Sequence, residues 1–388
     1  MTIELTMDRV WSGVDRLLDD YLELAPTDLP VIAYTPDSRQ SAAWIIATLR
    51  ERGFAPIALA MAAIEDDGIR ARLEQALPTR EALGDRRLAF LTVERDTMSH
   101  SSVIREVLAR YRKESWISAR LISASEEFFT LGMARSKTEL SRLNARLLKS
   151  FMTAERIHIE TQAGTDLDIE LDNEQYRWLS NRGFYRPGGF IVMPPGEVAS
   201  YPANVSGRLV ADGAFNINVY TELDARLATR PVTIDIEDGL AVNYSCADAK
   251  LQDMLEVIFA TPNARRVGEL GFGTNSGVSK LIGMNCHINE RSPGLHIGFG
   301  QHNQSIYIVD YLCDLHIDFI CQGGIVEVDG ERLDLANLEP LDEQHPELVM
   351  DEDIDGDCCG LWLDDVRRGQ CIPRGAPPAV AGGANGRS

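Results

Sequence analysis

Apolar residues recur at helical spacing over residues 4–24, at Leu5, Val10, Leu17, Leu18 and Leu22, and predict an amphipathic helix at the start of the chain. An apolar run, Leu29 to Tyr34, comes next, and Thr35-Pro-Asp-Ser38 leads into a second helix over 41–52 that Gly53 stops. The alternation repeats as strand 56–61, helix 67–77, strand 87–93, helix 101–112 and strand 119–123. Strands separated by helices pair in parallel and carry helices on both faces. Ser136-Lys-Thr-Glu139 has the form of a capping box and opens a long helix to residue 153. From residue 155 the period shortens to two. Residues 157–161, 167–171, 190–193, 232–236 and 325–328 read as short strands between Gly, Asp and Asn turns, and helical spacing returns clearly only over 249–260. The expected fold class is α/β plus mainly β: an N-terminal Rossmann-like three-layer domain over 1–154, a β-rich metal-binding domain over 155–345, and an acidic loop and disordered tail over 346–388.

One stretch of the β-rich half carries chemistry as well as pattern. Val267-Gly-Glu-Leu-Gly-Phe-Gly273 and Leu295-His-Ile-Gly-Phe-Gly300 share a frame: a residue able to bind metal, Glu269 or His296, then an aliphatic residue, then Gly-Phe-Gly. In Asp314-Leu-His-Ile-Asp-Phe319 the apolar Leu315, Ile317 and Phe319 alternate with Asp314, His316 and Asp318. Successive strand side chains point to opposite faces, so His316 and Asp318 share the face that the apolar residues avoid. A single such residue is ordinarily just the solvated side of an antiparallel sheet. Glycines at 271, 273, 298 and 300 clear side chains from beside the polar residues, which suits close approach of a ligand better than it suits a stable strand. The stretch predicts a metal site built on a sheet.

Composition narrows the partners. With 38 basic and 59 acidic residues the formal charge is -21, so the surface repels phosphate backbones and anionic lipids and favours cations such as metals or the amino end of a peptide. No nucleic-acid and no membrane partner is expected. The N-terminus lacks a basic region followed by an apolar run, and no apolar stretch reaches bilayer length, which points to a cytoplasmic protein. Seven cysteines without Cys-x-x-Cys spacing argue against a zinc ribbon or a disulfide scaffold. The first domain lacks both the Gly-x-Gly-x-x-Gly turn and a Walker loop, so its topology carries no nucleotide assignment. Asp351 to Asp357 imitates half of an EF-hand loop, but its twelfth position is Trp362 instead of a bidentate glutamate, and a solvated acidic loop is expected.

Ala163-Gly-Thr-Asp-Leu167 and Met193-Pro-Pro-Gly-Glu-Val198 complete a set. Gly-Thr-Asp-Leu, Pro-x-Gly-Glu-Val, Gly-Glu-Leu-Gly-Phe-Gly-Thr-Asn, His-Ile-Gly-Phe-Gly and His-Ile-Asp-Phe, in that order over residues 155–320, resemble the metalloaminopeptidases typified by aminopeptidase T and aminopeptidase S. The resemblance implies two divalent metal ions (Zn, Co or Mn) held by Glu197, Glu269, His296, His316 and Asp318, with Glu290 a further match. Glu269 would bridge ions roughly 3.5 to 4 Å apart, and Glu197 would carry a proton in catalysis. It further implies a peptide or small amide substrate anchored by its free α-amine, and a homodimer. One position departs from the family: a tyrosine expected seven residues after the first histidine is Asn303, with His302 beside it, read as an exposed loop residue, and Tyr307 beyond. The dihydroxypyridine dioxygenases, mononuclear iron(II) ring-cleaving enzymes, also resemble this fold. There the position of Glu269 is histidine and that of His296 is apolar, so the chain sides with the peptidases. A third reading is a non-catalytic or peptide-tailoring relative.

Overall fold

In the computed structural model, which describes residues 2–341 except 64–65, 96–99, 186, 220 and 336, the continuous apolar runs become the inner strands of a parallel sheet. Its order is Ile57–Ala60, Leu29–Tyr34, Leu88–Val93, Trp116–Leu121, Phe190–Met193. Ala89, Leu91 and Val93 pack with Val10, Val14, Ile45 and Leu49 of the helices Thr2–Arg16 and Arg39–Glu51. Leu88 and Phe90 face the other way, onto Ile69, Leu73, Ile104 and Leu108 of the helices Ile69–Ala76 and Ser101–Leu108. Both faces are covered, which is why these strands read as unbroken apolar runs.

Three local expectations change. The first helix ends at Arg16 and passes into a π-helical turn, Leu17–Tyr21, instead of running on to residue 24. The fourth strand starts at Trp116, upstream of the expected residue 119, because Ser118 and Arg120 are buried within it and break the apolar signal. Phe190–Met193 leaves the β-rich half and pairs in parallel with Trp116–Leu121. All four of its residues are buried, as a strand covered on both sides requires.

The rest of the described chain forms two antiparallel sheets. Seven strands run in the order Leu240–Cys246, Val232–Glu237, Asn204–Ala211, Asp166–Glu170, Arg156–Glu160, Ile325–Val328, Glu331–Leu333. Six run in the order Ala214–Ile217, His316–Ile320, Gly294–Gly300, Val267–Gly273, Glu197–Ser200, Leu179–Asn181. One core lies between them: Ile157, Ile159, Leu167 and Ile169 from the first sheet meet Leu270, Phe272, Ile297, Phe299, Ile317 and Phe319 from the second, with the helix Lys137–Phe151 contributing Leu147, Leu148 and Phe151. The chain is thus a mixed α/β protein on three sheets. No described helix is long and apolar enough to cross a membrane. The acidic loop at 351–357 and the tail after it lie outside the described residues.

Candidate metal centre

The strand Val267–Gly273 sends Leu270 and Phe272 into the core, so Glu269, Gly271 and Gly273 occupy its opposite face. Regular pleating would put Val267 on that face too. A β-bulge between Val267 and Glu269 reverses the alternation, which returns Val267 to the core and leaves Glu269 outside it. Each candidate ligand has a glycine as a cross-strand neighbour: Glu197 opposite Gly273, His296 opposite Gly271, Glu269 and Asp318 both opposite Gly298, and His316 opposite Gly300. The space is needed. A Cβ on Gly271 would stand 1.9 Å from His296 Nε2, and one on Gly298 would stand 2.7 Å from Asp318 Oδ1 and 2.8 Å from the Glu269 Cβ. The Gly-Phe-Gly repeats therefore combine two functions, phenylalanine for the core and glycine for the polar cradle.

All five sequence-expected residues converge on this face and are buried, Glu197 being the most exposed at 3%. Together with Glu290 they form two groups whose ligand atoms lie within 4.8 Å of one another: Glu197, Glu290 and His296 in one, Glu269, His316 and Asp318 in the other. His296 Nε2 is 3.0 Å from Glu197 Oε1, and His316 Nε2 is 3.0 Å from Asp318 Oδ1. Glu269 lies between the groups, with Oε1 3.8 Å from His296 Nε2 and Oε2 3.7 Å from His316 Nε2. A third cluster, His158, Glu160 and Asp166, is on the outer face of the seven-stranded sheet, where water solvates the carboxylates.

Burial makes the two inner groups costly without a counter-ion. Both Glu269 oxygens, both Asp318 oxygens, Glu197 Oε1 and both His296 nitrogens are buried without a hydrogen bond of acceptable geometry. Burial raises the Glu269 carboxyl above its ordinary value. Asp318 is pushed up by burial but further down by the neighbouring imidazoles, and ends below the usual carboxylate range. Burial would lower His296, yet Glu197 and Glu269 outweigh it and hold the imidazole protonated well above its ordinary value. Carboxylate oxygens without hydrogen bonds, beside imidazoles that bind metal once deprotonated, in a cradle cleared by glycine, fit divalent cations.

Neighbouring groups fix the orientation. His316 Nδ1 is 2.7 Å from the Gln301 carbonyl, an arrangement in which Nδ1 carries the proton and Nε2 keeps its lone pair for the inner face. The short helix His287–Arg291 supplies Glu290 and Arg291. Arg291 Nη1 pairs with Glu197 Oε2 and lies 3.3 Å from Glu290 Oε2, while Asn216 Nδ2 donates to Glu290 Oε1. Arg291, Asn216 and Gln301 carry no spacing signal in the sequence; only the adjacency of Arg291 to Glu290 hinted at the first.

The remaining sequence landmarks are braces. Thr165 of the Gly-Thr-Asp-Leu segment exchanges hydrogen bonds with the Val210 backbone. Asn275 donates to the Gly132 and Pro195 carbonyls. His302 is 1% exposed and not the exposed loop residue expected: its Nε2 meets the Tyr311 carbonyl at 2.8 Å, its Nδ1 accepts from Gln304 N, and burial lowers its pKa. Asn303 is buried too, its Oδ1 accepting from Gln304 Nε2 at 2.7 Å. Tyr307 is exposed.

Comparison with known proteins gives a family and a fold. A family model described as NicX: 2,5-dihydroxypyridine 5,6-dioxygenase matches residues 37–290. That span includes Glu197, Glu269 and Glu290 but stops before His296, His316 and Asp318. Among solved structures, the chain is similar to 2,5-dihydroxypyridine dioxygenase from Pseudomonas putida KT2440, with a TM-score of 0.57 and 14% identity over 86% of this chain and 97% of that one. It is also similar to AmpT, aminopeptidase T, from Thermus thermophilus, with a TM-score of 0.51 and 14% identity over 84% of this chain and 97% of that one. At such identity the likeness is one of fold. No curated protein matches significantly.

Proposed function

The chain belongs to the NicX family, described as 2,5-dihydroxypyridine 5,6-dioxygenase, and from that premise we propose that it is a metal-dependent enzyme whose own ligand set has the form of a two-cation amide hydrolase, acting on the amino end of a peptide or a related amide. One observation carries the reading: Glu269 stands between two ligand groups, one oxygen toward the imidazole of each. A shared carboxylate is what a pair of cations requires. The two imidazoles fall in separate groups, which disfavours a single ion held by two histidines and one carboxylate.

Bound divalent cations would polarise an amide carbonyl and make water acidic enough to supply hydroxide near neutral pH. The residues that would hold them are Glu197, Glu290 and His296 on one side and Glu269, His316 and Asp318 on the other, and their burial would keep bulk water from competing. Glu197 already pairs one oxygen with Arg291, and taking up a proton would weaken that pair, so the role kept for Glu197 is that of ligand. A free α-amine of the substrate fits the excess of carboxylates around the site. The second reading, a ring-cleaving iron(II) dioxygenase, is favoured by the family match.

The test combines metal content with turnover. Chain purified without chelator is expected to hold two zinc, cobalt or manganese ions and to release residues from unblocked but not N-acetylated peptides. One iron per chain, with oxygen consumption on 2,5-dihydroxypyridine, selects the dioxygenase. Glu269→Gln is expected to lose both metal retention and peptide hydrolysis by at least about 100-fold; a variant that keeps two ions contradicts the shared-carboxylate role.

A further inference from the structure

The two ligand groups are not equally available to a cation. Arg291 is fully buried, and its Nε donates to the Pro194 carbonyl at 3.0 Å, which fixes the guanidinium plane. Its Nη1 engages Glu197 Oε2 and reaches Glu290 Oε2, and Asn216 occupies Glu290 Oε1. Of that group's four carboxylate oxygens only Glu197 Oε1 is without a hydrogen bond. The opposite holds for Glu269 and Asp318, none of whose four oxygens makes a hydrogen bond of acceptable geometry. Charge points the same way. With both imidazoles neutral, as metal binding requires, two carboxylates and a guanidinium leave the first group with one net negative charge, against two for Glu269 with Asp318, and a cation beside Glu197 would sit close to a buried positive charge.

On the two-cation reading, we infer that Arg291 divides the centre into a tight ion position at Glu269, His316 and Asp318 and a weak, exchangeable one at Glu197, Glu290 and His296. Carboxylate–guanidinium pairs are strong where water is excluded, so an incoming ion must displace or share them. The first equivalent of metal therefore fills the tight position and supports folding. The second binds only as free metal rises, and with it the complete centre forms. Arg291 is a positioning residue in this scheme: it acts through Glu197 and Glu290 and makes occupancy, hence activity, responsive to metal supply.

Metal-free chain titrated with cobalt(II), by calorimetry and equilibrium dialysis, is expected to bind two ions whose affinities differ at least tenfold. His296→Ala should keep the tight ion and lose the weak one; His316→Ala should lose the tight one. Arg291→Met should tighten the weak class at least tenfold, lower the melting temperature of the metal-free protein, and enlarge the upward shift that cobalt produces. If Arg291→Met does not fold, Asn216→Leu, which frees Glu290 Oε1, should move the weak class in the same direction by a smaller factor. Fewer than two ions at saturation overturns the two-cation reading itself. Two ions of equal affinity, loss of the tight ion in His296→Ala, or an unchanged or weaker second class in a folded Arg291→Met or Asn216→Leu leaves that reading standing and overturns the inference.

Discussion

A missing methyl group shapes this site as much as any ligand does. Alanine at 271 would place its Cβ 1.9 Å from His296 Nε2, and the obstructing atom belongs to a ring that is itself packed against the sheet. The ring must swing away from Glu197 and Glu269. Gly271→Ala is therefore expected to weaken metal binding at least tenfold, while circular dichroism stays native, since the strand's core face of Leu270 and Phe272 is untouched. Unaltered affinity would mean that His296 is not a ligand. The protonation of the same imidazole gives a second prediction. In the metal-free protein Glu197 and Glu269 hold His296 protonated well above its ordinary value, and a metal binds only the neutral ring. Binding near neutral pH must then expel that proton, so affinity rises with pH. Calorimetry in buffers of differing ionisation enthalpy is expected to register release of about one proton from this group, and a signal independent of buffer would contradict its assignment.

Elements hold these residues to the tolerance that chemistry needs, and here one helix serves two strands. Ser136 caps the helix Lys137–Phe151 by accepting from Glu139 N, as the capping-box spacing in the sequence predicts. Inside that helix Asn144, fully buried, donates to the Glu197 carbonyl at 2.8 Å and to the Asn181 carbonyl at 3.2 Å, and its Oδ1 accepts from Thr274. Asn144→Leu removes the donor to the Glu197 carbonyl and the acceptor of the Thr274 hydroxyl, while the Asn181 carbonyl keeps the Gly196 N–H, and is expected to cost about 2 to 6 kcal/mol in urea unfolding, from roughly 1 to 3 kcal/mol per orphaned group. It should also loosen Glu197, which metal titration would reveal as a weakened second ion. Local pattern made the shared polar face legible: strict alternation at Leu315 to Phe319, and Gly-Phe-Gly twice, both survive translation into strands. Long-range polar contacts left no such trace. Asn144 meets partners 53 and 130 residues away, and Arg291 sits on a five-residue helix too short to show a period. Phe190–Met193 joins the parallel sheet against the pattern's expectation for a related reason, since four apolar residues state that both faces are covered but not by which sheet.

At the scale of the whole molecule, the parallel sheet delivers the site to its place. Its last strand ends at Met193, and Pro194-Pro195-Gly196 turns directly into the strand that begins with Glu197, so the six-stranded sheet and its ligands grow out of the carboxyl end of the parallel one. In open α/β sheets that end is where ligands bind. The whole chain carries a formal charge of -21, far more than the two buried groups account for. Such a field raises the local concentration of cations and repels anions over the Debye length, about 10 Å at 0.1 M ionic strength. If the substrate enters as a peptide with a free α-amine, its encounter rate gains from that field and loses the gain as salt is added. For a substrate of net charge +2, kcat/KM is expected to fall severalfold, by about 3 to 10, between 10 mM and 300 mM salt, and for a zwitterionic peptide of the same length to stay nearly level. The difference between the two slopes isolates steering from any general effect of salt on the metal centre, because both substrates meet the same ions. Parallel slopes would assign the acidic surface to solubility alone and leave amine recognition entirely to the buried carboxylates.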